Sequence, residues 1–329
     1  MRSTTVPTRS AAALAVLAAC AAVLGGGGPS GAVPTAATGA PQAVQQTQQT
    51  QQTQQQQAQS DTCDIYASVP PSSVDGPAVK AIKARRSLVI GVDQNSYRWG
   101  ARNPNTGQIE GFDIDLARAI GTAIMGDPEK VVLKPVATAD RVDAVQKNRV
   151  DLIVRTMTVN CKRMEDVAFS KPYFSITQRV LVPKTSPAKN LDEAIGGRNV
   201  CVAKGSTAAD VFDPAKNGAK KDAGAHLTVV ENQLDCLVLM QLGKVDATMT
   251  DDGLAAGQAA QDQTVRIVDG DVQPEVIGVA MLKGSTDLTA RVNQVLADYH
   301  AGGEWGHSYD RWLKPYMLND AEHYWPVPH

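Results

Sequence analysis

Residues 111–121 read GFDIDLARAIG and predict the beginning of an amphipathic helix. From Ile114 onward, most apolar residues of segment 113–125 lie three or four positions apart, so they share one helical face that can be buried. Runs rich in β-branched residues flank this segment at Leu88–Val92 and at 131–136. The order strand, helix, strand is typical of a β-α-β unit in an α/β fold.

The alternation of strands and helices continues along the chain and then restarts. The elements predicted after residue 136 are a helix at 141–148, strands at 150–154, 179–184, 199–203, 226–230, 246–249 and 276–282, and helices from 208, across 234–242, at 287–300 and at 306–316. Because the rhythm restarts near residue 199, we expect two similar lobes.

Composition limits the function classes that are open to this chain. Its 329 residues are 43 % hydrophobic and 20 % charged, which suits one or two globular domains with sizeable cores. Lys and Arg number 32 against 34 for Asp and Glu, so no overall positive charge attracts nucleic acid. No stretch offers the roughly 20 uninterrupted apolar residues of a membrane-spanning helix. We therefore expect neither a nucleic-acid partner nor an integral membrane protein.

The N-terminus has the features of a secretion signal. Arg2 and Arg9 precede an apolar run at 11–24, which has the length of a signal peptide. Residues 17–20 read LAAC and match a lipobox, in which the cysteine is acylated. We predict a signal peptide at 1–20, lipid attachment at Cys20, and a secreted protein anchored to the outer face of the cytoplasmic membrane. Alternatively, cleavage occurs nearer Ala40 and Cys20 is an ordinary residue of the signal peptide.

Residues 21–62 have the composition of a disordered tether. A Gly- and Pro-rich part is followed by a Gln/Thr tract at 42–59, with almost nothing to bury. By flexible-chain scaling this segment would span on the order of 35 Å, enough to hold a folded domain clear of a membrane surface. Self-association through the Gln-rich tract is the alternative.

The four cysteines after residue 62 predict two disulfides. Their number is even and a secreted protein lies outside the cytosol, where disulfides persist. Of the three connectivities we favour Cys201 with Cys236, which closes a local loop of about 36 residues. Cys63 then pairs with Cys161. A zinc site is the rival interpretation, but no Cys-x-x-Cys motif or nearby histidine supports it, and we expect no metal and no cofactor.

Several stretches besides 111–121 carry a resemblance to a known family. They are VDL at 150–152, TMTVNCKR at 156–163, FSKPYF at 169–174, KGST at 204–207, GKVDATMTD at 243–251, IGVA at 277–280 and GEW at 303–305. Over about residues 87–313 the chain resembles the extracellular solute-binding proteins of polar amino-acid ABC importers, in particular actinobacterial glutamate-type lipoproteins.

The resemblance implies a two-lobed periplasmic-binding-protein-like fold of type II with the ligand held between the lobes. The first lobe would comprise 63–181 and 280–329, and the second 182–279. Two crossing strands near 179–184 and 277–283 would join them, and the lobes would close on the ligand by a hinge motion. The implied partners are an L-amino acid and the transmembrane subunits of an ABC permease, and the protein would be a monomer.

An amino acid needs a fixed cation for its carboxylate and a fixed anion for its ammonium. Arg163 could clamp the carboxylate bidentately, and the matching arginine has this role in the family. Surface pairing with Glu165 or Asp166 is the alternative for Arg163. Asp251 follows a strand and matches the family's acid for the ammonium, whereas Asp252 should face away.

Four hydroxyl side chains complete this part of the expected site. The resemblance implies that Thr156 and Thr158 line the site from the first lobe. Ser206 and Thr207 follow a glycine at a strand-to-helix turn and should donate to the ligand carboxylate from the second lobe. Ordinary helix N-capping is the alternative role for Ser206 and Thr207, and the two roles are compatible.

Selectivity for the ligand's side chain should depend on three charged residues. Arg141 matches a position where several acidic-amino-acid binders carry arginine, and Arg155 replaces a small residue of glutamine binders. Asp93 argues the other way, because glutamine binders use an acid there for the side-chain amide. Two arginines against one acid predict glutamate or aspartate first, then glutamine or asparagine. Trp99 or Tyr97 could cover the ligand's methylenes, or either ring could pack in the core.

Two other functions fit the same resemblance less well. One is an amino-acid sensor lipoprotein that feeds a membrane signalling partner, and the other is an extracytoplasmic dehydratase on the same fold. Asp113 and Asp115 could pose as paired carboxylates, but at a helix start we interpret them as surface acids that suit the helix dipole. Four of the five histidines lie in the last thirty residues, away from the cleft motifs. We therefore expect no enzyme.

Overall fold

The computed structural model describes residues 63–327. The predicted signal peptide, the lipid-attachment residue Cys20 and the tether lie outside the described residues. Within 63–327 no helix has both the length and the apolar character needed to cross a membrane.

Fourteen strands occur in the described part of the chain. They are β1 (Leu88–Val92), β2 (Asn95–Ser96), β3 (Gly100–Arg102), β4 (Ile109–Glu110), β5 (Val131–Pro135), β6 (Leu152–Ile153), β7 (Val167–Phe169), β8 (Phe174–Pro183), β9 (Asn199–Ala203), β10 (His226–Val230), β11 (Ala247–Asp251), β12 (Val265–Ile267), β13 (Val272–Ile277) and β14 (Ala280–Leu282).

Eleven α-helices lie between and after these strands in the same part of the chain. They are α1 (Pro77–Arg85), α2 (Phe112–Met125), α3 (Arg141–Gln146), α4 (Cys161–Asp166), α5 (Leu191–Ile195), α6 (Thr207–Asp210), α7 (Gln233–Gln241), α8 (Asp252–Gln261), α9 (Thr286–Ala301), α10 (Glu304–Trp312) and α11 (Ala321–Tyr324).

The first lobe is built on a five-stranded sheet in the order β5-β1-β6-β14-β7. β1 pairs in parallel with β5 and β6, as a β-α-β unit requires, and β14 is antiparallel to its neighbours. Helix α2 packs its apolar face on this sheet and begins after Gly111, whose φ is +138°. A Cβ there would lie 2.5 Å from the Trp99 carbonyl, so the fold needs glycine at this position.

The second lobe contains a six-stranded sheet in the order β10-β9-β11-β8-β12, with β13 also paired to β8. β9 is parallel to both β10 and β11, whereas β8 runs antiparallel to β11. The chain therefore forms two α/β lobes, and the predicted fold class is confirmed. A small antiparallel sheet of β2, β3 and β4 follows the first strand of the first lobe and was not predicted.

The crossings between the lobes differ from the prediction. Residues 174–178 and 272–277 pair with each other as neighbouring strands, with Phe174 opposite Ile277 at one end and Gln178 opposite Val272 at the other. Phe174 and Ile277 lie in the core of the first lobe, whereas Val272 lies in the core of the second. The predicted crossings at 179–184 and 277–283 were wrong by about five residues. The apolar residues after 178 pair with β11 inside the second-lobe sheet instead.

Both predicted disulfides are present. Cys63 is bonded to Cys161, and Cys201 to Cys236. The first bridge attaches the beginning of the described chain to the N-terminus of α4. The second joins β9 to α7 in the interior of the second lobe, where both sulfurs are buried.

Candidate ligand-binding site

A small cavity of about 30 Å³ lies between the two lobes. Its lining residues are Asp93, Ser96, Thr138, Arg141, Arg155, Thr156 and Thr158 from the first lobe and Ala203, Ser206, Thr207, Gln233, Thr250, Asp251 and Leu254 from the second. Several of them follow the carboxyl ends of the parallel strands β1, β6 and β9 or end β11. Ligands of open α/β sheets bind at these strand ends.

Eight of the ten predicted ligand-binding residues line this cavity. They are Asp93, Arg141, Arg155, Thr156, Thr158, Ser206, Thr207 and Asp251. Arg163 and Trp99 are not among the lining residues. The sequence analysis missed Ser96, Thr138, Ala203, Gln233, Thr250 and Leu254, which also line the cavity.

Arg155 and Asp93 form a buried ion pair in the wall of the first lobe. The distance from Nη2 of Arg155 to Oδ2 of Asp93 is 3.1 Å, and their side chains are 4 % and 10 % exposed. Asp93 also accepts hydrogen bonds from the amides of Gln94 and Asn95 and from the Ser96 hydroxyl. Arg155 donates a second bond to the Thr138 hydroxyl. One of the two predicted specificity arginines is thus neutralised by the acid that was weighed against it.

Arg141 is buried, and the hydrogen bonds that hold its guanidinium go to main-chain carbonyls. Its Nε and Nη1 donate to the carbonyls of Thr138, Arg155 and Thr156 in its own lobe. Nη2 lies 3.3 Å from the carbonyl of Gly205 in the second lobe. Burial, followed by the charges of Arg163 and Arg155, lowers the pKa of Arg141. A carbonyl cannot neutralise a guanidinium, so an anion in the cavity would be attracted to Arg141.

Arg163 lies in the first turn of α4, beside the cavity. Its main-chain N–H donates to the capping side chain of Asn160, which fixes the first turn of α4. Its guanidinium donates to the carbonyl of Thr158 at 2.7 Å and to that of Gly205 at 3.0 Å. These bonds join the two lobes beside the cavity, and the clamping of a ligand carboxylate by Arg163 stays a prediction.

Trp99 packs in the core of the first lobe. Its ring is 1 % exposed and makes edge-to-face contacts with Phe112 and Phe174, at centroid distances of 5.3 and 4.9 Å. It also lies against Gly253 of α8. The unpredicted small sheet turns this residue inward, so Trp99 does not cover the cavity. The other candidate ring, Tyr97, packs edge-to-face on Tyr316.

Asp251 lines the cavity and Asp252 does not, as the strand register predicts. Oδ1 of Asp251 accepts a 2.6 Å bond from Nε2 of Gln178 on the crossing strand β8. Burial raises the pKa of Asp251, and the nearby carboxylate of Glu275 adds to this effect, so that the pKa is about 7. An ammonium in the cavity would favour the ionised form of Asp251 and would in turn be held by it.

The hydroxyl residues of the second lobe have structural partners as well as a face in the cavity. Ser206 caps α6, since its Oγ accepts from the amide of Ala209 and donates to the carbonyl of Ala203. The hydroxyl of Thr207 lies 3.4 Å from that of Thr158 across the cleft. The capping role predicted for Ser206 is present, and its donation to a ligand carboxylate stays a prediction.

Asp113 supports the site from below. It is 0 % exposed and accepts bonds from the Tyr173 hydroxyl at 2.8 Å and from the Thr156 amide at 2.9 Å. Thr156 has a φ of +38°, which is unfavourable for threonine. The bond from its amide to Asp113 helps to stabilise this backbone conformation. Burial raises the pKa of Asp113 to about 7. The interpretation of Asp113 as a surface acid was wrong, because the helix turns it inward.

Two lobes of α/β structure, joined by paired crossing strands, enclose a small polar cavity that presents a cationic and an anionic side chain. This arrangement defines an extracytoplasmic amino-acid-binding protein of the two-lobed class that serves ABC importers. Residues 88–315 match the bacterial extracellular solute-binding proteins, family 3, and the chain belongs to this family.

Individual relatives agree with this assignment. The ABC transporter glutamine-binding protein GlnH of Bacillus subtilis is 32 % identical over 234 residues, which are 71 % of this chain and 84 % of that protein. The glutamate-binding protein GluB of Corynebacterium efficiens is 27 % identical over 261 residues, covering 76 % of this chain and 85 % of that protein. Among solved structures, the solute receptor for L-cysteine of Neisseria gonorrhoeae superposes with a TM-score of 0.69 at 26 % identity, covering 76 % of this chain and 99 % of that one.

Proposed function

We propose that the chain is the substrate-binding subunit of an ABC importer for L-glutamine. The observation that supports this ligand is the buried Asp93–Arg155 ion pair in the cavity wall. The pair carries no net charge, so this wall of the cavity suits a neutral carboxamide better than a second carboxylate. The B. subtilis relative is a glutamine-binding protein, which agrees with this ligand.

The other two polar groups of the ligand have partners in the same cavity. The ammonium binds at Asp251, the lining carboxylate of the second lobe. The α-carboxylate binds at Arg141, whose guanidinium is held by carbonyls alone. Because both lobes contribute, the ligand stabilises the closed form through its differential affinity for that form.

L-Glutamate is the second candidate, and a specific observation favours it. Arg141, Arg155 and Arg163 all lie in or beside the cavity, and Asp93 neutralises Arg155 alone by direct contact. A second carboxylate on the ligand would then share the remaining positive charge. The glutamate-binding name of the C. efficiens relative agrees with this alternative.

Calorimetric titration of the secreted protein against the twenty amino acids at pH 7.5 tests the proposal. We expect glutamine to bind more tightly than glutamate and aspartate, and arginine and leucine not to bind measurably. Tighter binding of glutamate would replace the first candidate by the second. Binding of an apolar amino acid in preference to both would contradict the polar assignment of the cavity.

The proposal also includes a lipid anchor at Cys20, with residues 21–62 as the tether. The protein acts as a monomer at the outer face of the cytoplasmic membrane and delivers its ligand to the permease. Replacing Cys20 with Ala should move the protein from the membrane fraction to the medium. An unchanged distribution would contradict the anchor.

A further inference from the structure

Glu275 is a carboxylate on the crossing strand β13 that none of the functions above uses. Its Oε2 accepts a 2.9 Å bond from the Thr207 hydroxyl and lies 3.3 Å from Nε2 of Gln178. The Thr158 hydroxyl also bonds to the Glu275 carboxylate. Thr158 and Thr207 belong to different lobes and both line the cavity. Glu275 therefore joins the two walls of the cavity behind the site itself.

Gln178 connects this carboxylate to the ammonium site. Its Nε2 lies 2.6 Å from Oδ1 of Asp251 and 3.3 Å from Oε2 of Glu275, so these two oxygens are within about 6 Å of each other. Like charges at such a distance in a partly buried place oppose each other's ionisation. The carboxylates of Asp251 and Glu275 thus form a coupled pair.

The surrounding charges do not cancel this repulsion. Asp252 of α8 adds a third negative charge near Asp251, and Arg141 of α3 acts against it. Arg163 of α4 faces Glu275 but donates its bonds to main-chain carbonyls. Burial raises the pKa of both members of the pair, and for Asp251 it reaches about 7.

We propose that Glu275 is a positioning residue for the ammonium site and that, through Gln178, it makes amino-acid binding release a proton from the Asp251–Glu275 pair. Before binding, the pair retains one proton in mildly acidic medium. When the ligand's ammonium arrives with its own three protons, Asp251 ionises and the retained proton leaves to solvent. The inference rests on the proposed function, because it requires an ammonium at Asp251.

The sign of the pH dependence follows from this exchange. Binding requires ionised Asp251, so affinity rises with pH up to about 7 and is constant above it. With a pKa of about 7, the dissociation constant should increase about tenfold from pH 8 to pH 6, and binding at pH 6 should release about 0.9 proton. The ligand's ammonium is protonated throughout this range.

The test is calorimetric titration of the wild-type protein with L-glutamine and L-glutamate at pH 6 and pH 8. Each titration is run in two buffers of different ionisation enthalpy, which gives the number of protons released. In Glu275→Gln the like charge is gone and Asp251 should ionise at lower pH, so proton release at pH 6 should drop to about half a proton and the change in Kd to about twofold. A role of Glu275 in packing alone would change Kd equally at both pH values.

Glu129→Gln is the matched control, since this glutamate is exposed in the turn before β5, at the end of the strand opposite the cavity. It should leave both proton release and the pH profile unchanged. If Glu275→Gln does not fold, Thr207→Val gives the same test in the opposite direction. Loss of the hydroxyl that donates to Glu275 raises the pKa of that carboxyl, so proton release should extend to higher pH.

The outcomes separate this inference from the proposed function. Release of about 0.9 proton by the wild type, reduced in Glu275→Gln or extended in Thr207→Val, supports it. Binding without proton release, or identical profiles for the wild type and the variants, overturns the inference and leaves the proposed function intact. Failure of the wild type to bind any amino acid overturns both.

Discussion

Replacing Asp93 with Asn should reverse the ligand preference from glutamine to glutamate. Asn retains an oxygen that can accept from the amides of Gln94 and Asn95, so the local turn has its acceptor. It removes the charge that neutralises Arg155, whose side chain is 4 % exposed. Arg155 would then lack an anionic partner, and the side-chain carboxylate of glutamate could bind to it in the cavity.

The size of the expected change in ligand preference follows from the strength of a hydrogen bond to a buried charged group. A hydrogen bond to a charged group contributes about 1.5–3 kcal/mol, which corresponds to a change of about 10- to 160-fold in the ratio of the two dissociation constants. An arginine left unpaired in a buried position costs about 3–5 kcal/mol of stability. Glutamate should restore part of this loss in Asp93→Asn, whereas glutamine should restore less.

The assay is calorimetric titration of the wild type and Asp93→Asn with both ligands at pH 7.5, together with thermal unfolding with and without each ligand. Asp222→Asn is the matched control, because Asp222 is 91 % exposed and forms a surface pair with Lys221. A ratio of glutamine to glutamate affinity that stays the same in Asp93→Asn would refute the assignment of the ion pair to the ligand's side chain.

Three further predictions concern the rest of the molecule. Arg141→Met should weaken glutamine and glutamate by a similar factor of about 10 to 100, because it removes the partner of a carboxylate that both share; calorimetry showing a loss for glutamate alone would contradict this role. Replacing Cys201 and Cys236 with Ser should lower the free energy of unfolding by about 4 kcal/mol for their separation of 35 residues, measured by urea unfolding, and an unchanged midpoint would count against it. The raised pKa of Asp113, about 7 when folded, means that the folded chain keeps a proton that the unfolded chain loses, so unfolding free energy should fall from pH 4 to 7 by about 3 kcal/mol through this group. Asp113→Asn should remove that part of the slope in urea unfolding at several pH values, and an unaltered slope would show that Asp113 does not titrate in this range.

Local patterns were sufficient for the lobes and for most of the cavity. A β-branched run that ends in a polar residue identifies the carboxyl end of a strand, and Asp93 and Asp251 both follow such runs, although the resemblance to the family selected them as site residues. The disulfides followed from parity and from one short loop. These inferences need only the few residues around each position.

What the sequence could not provide depends on contacts between distant segments. Arg155 and Asp93 are far apart in the chain, so their ion pair, which changes the charge of the cavity, has no local pattern. Arg163 donates across the cleft to the carbonyl of Gly205, a group that every residue has. Trp99 is turned into the core by strands of two or three residues, which are too short for periodicity to reveal.

The carbonyl of Gly205 has a consequence for the time that a ligand stays bound. Arg141 and Arg163 of the first lobe both donate to this one oxygen of the second, so opening the cleft must break both bonds together and hydrate two guanidiniums. Bonds that exist only while the lobes are shut slow their separation, and affinity differences between related complexes arise mostly in the dissociation rate. Gly205 has a φ of +72° and a Cβ there would lie 2.9 Å from Cα of Ala139, so no other residue suits this position. The residence time of the ligand thus depends partly on a main-chain group of a residue that does not line the cavity, and a side-chain substitution can displace this group but not remove it.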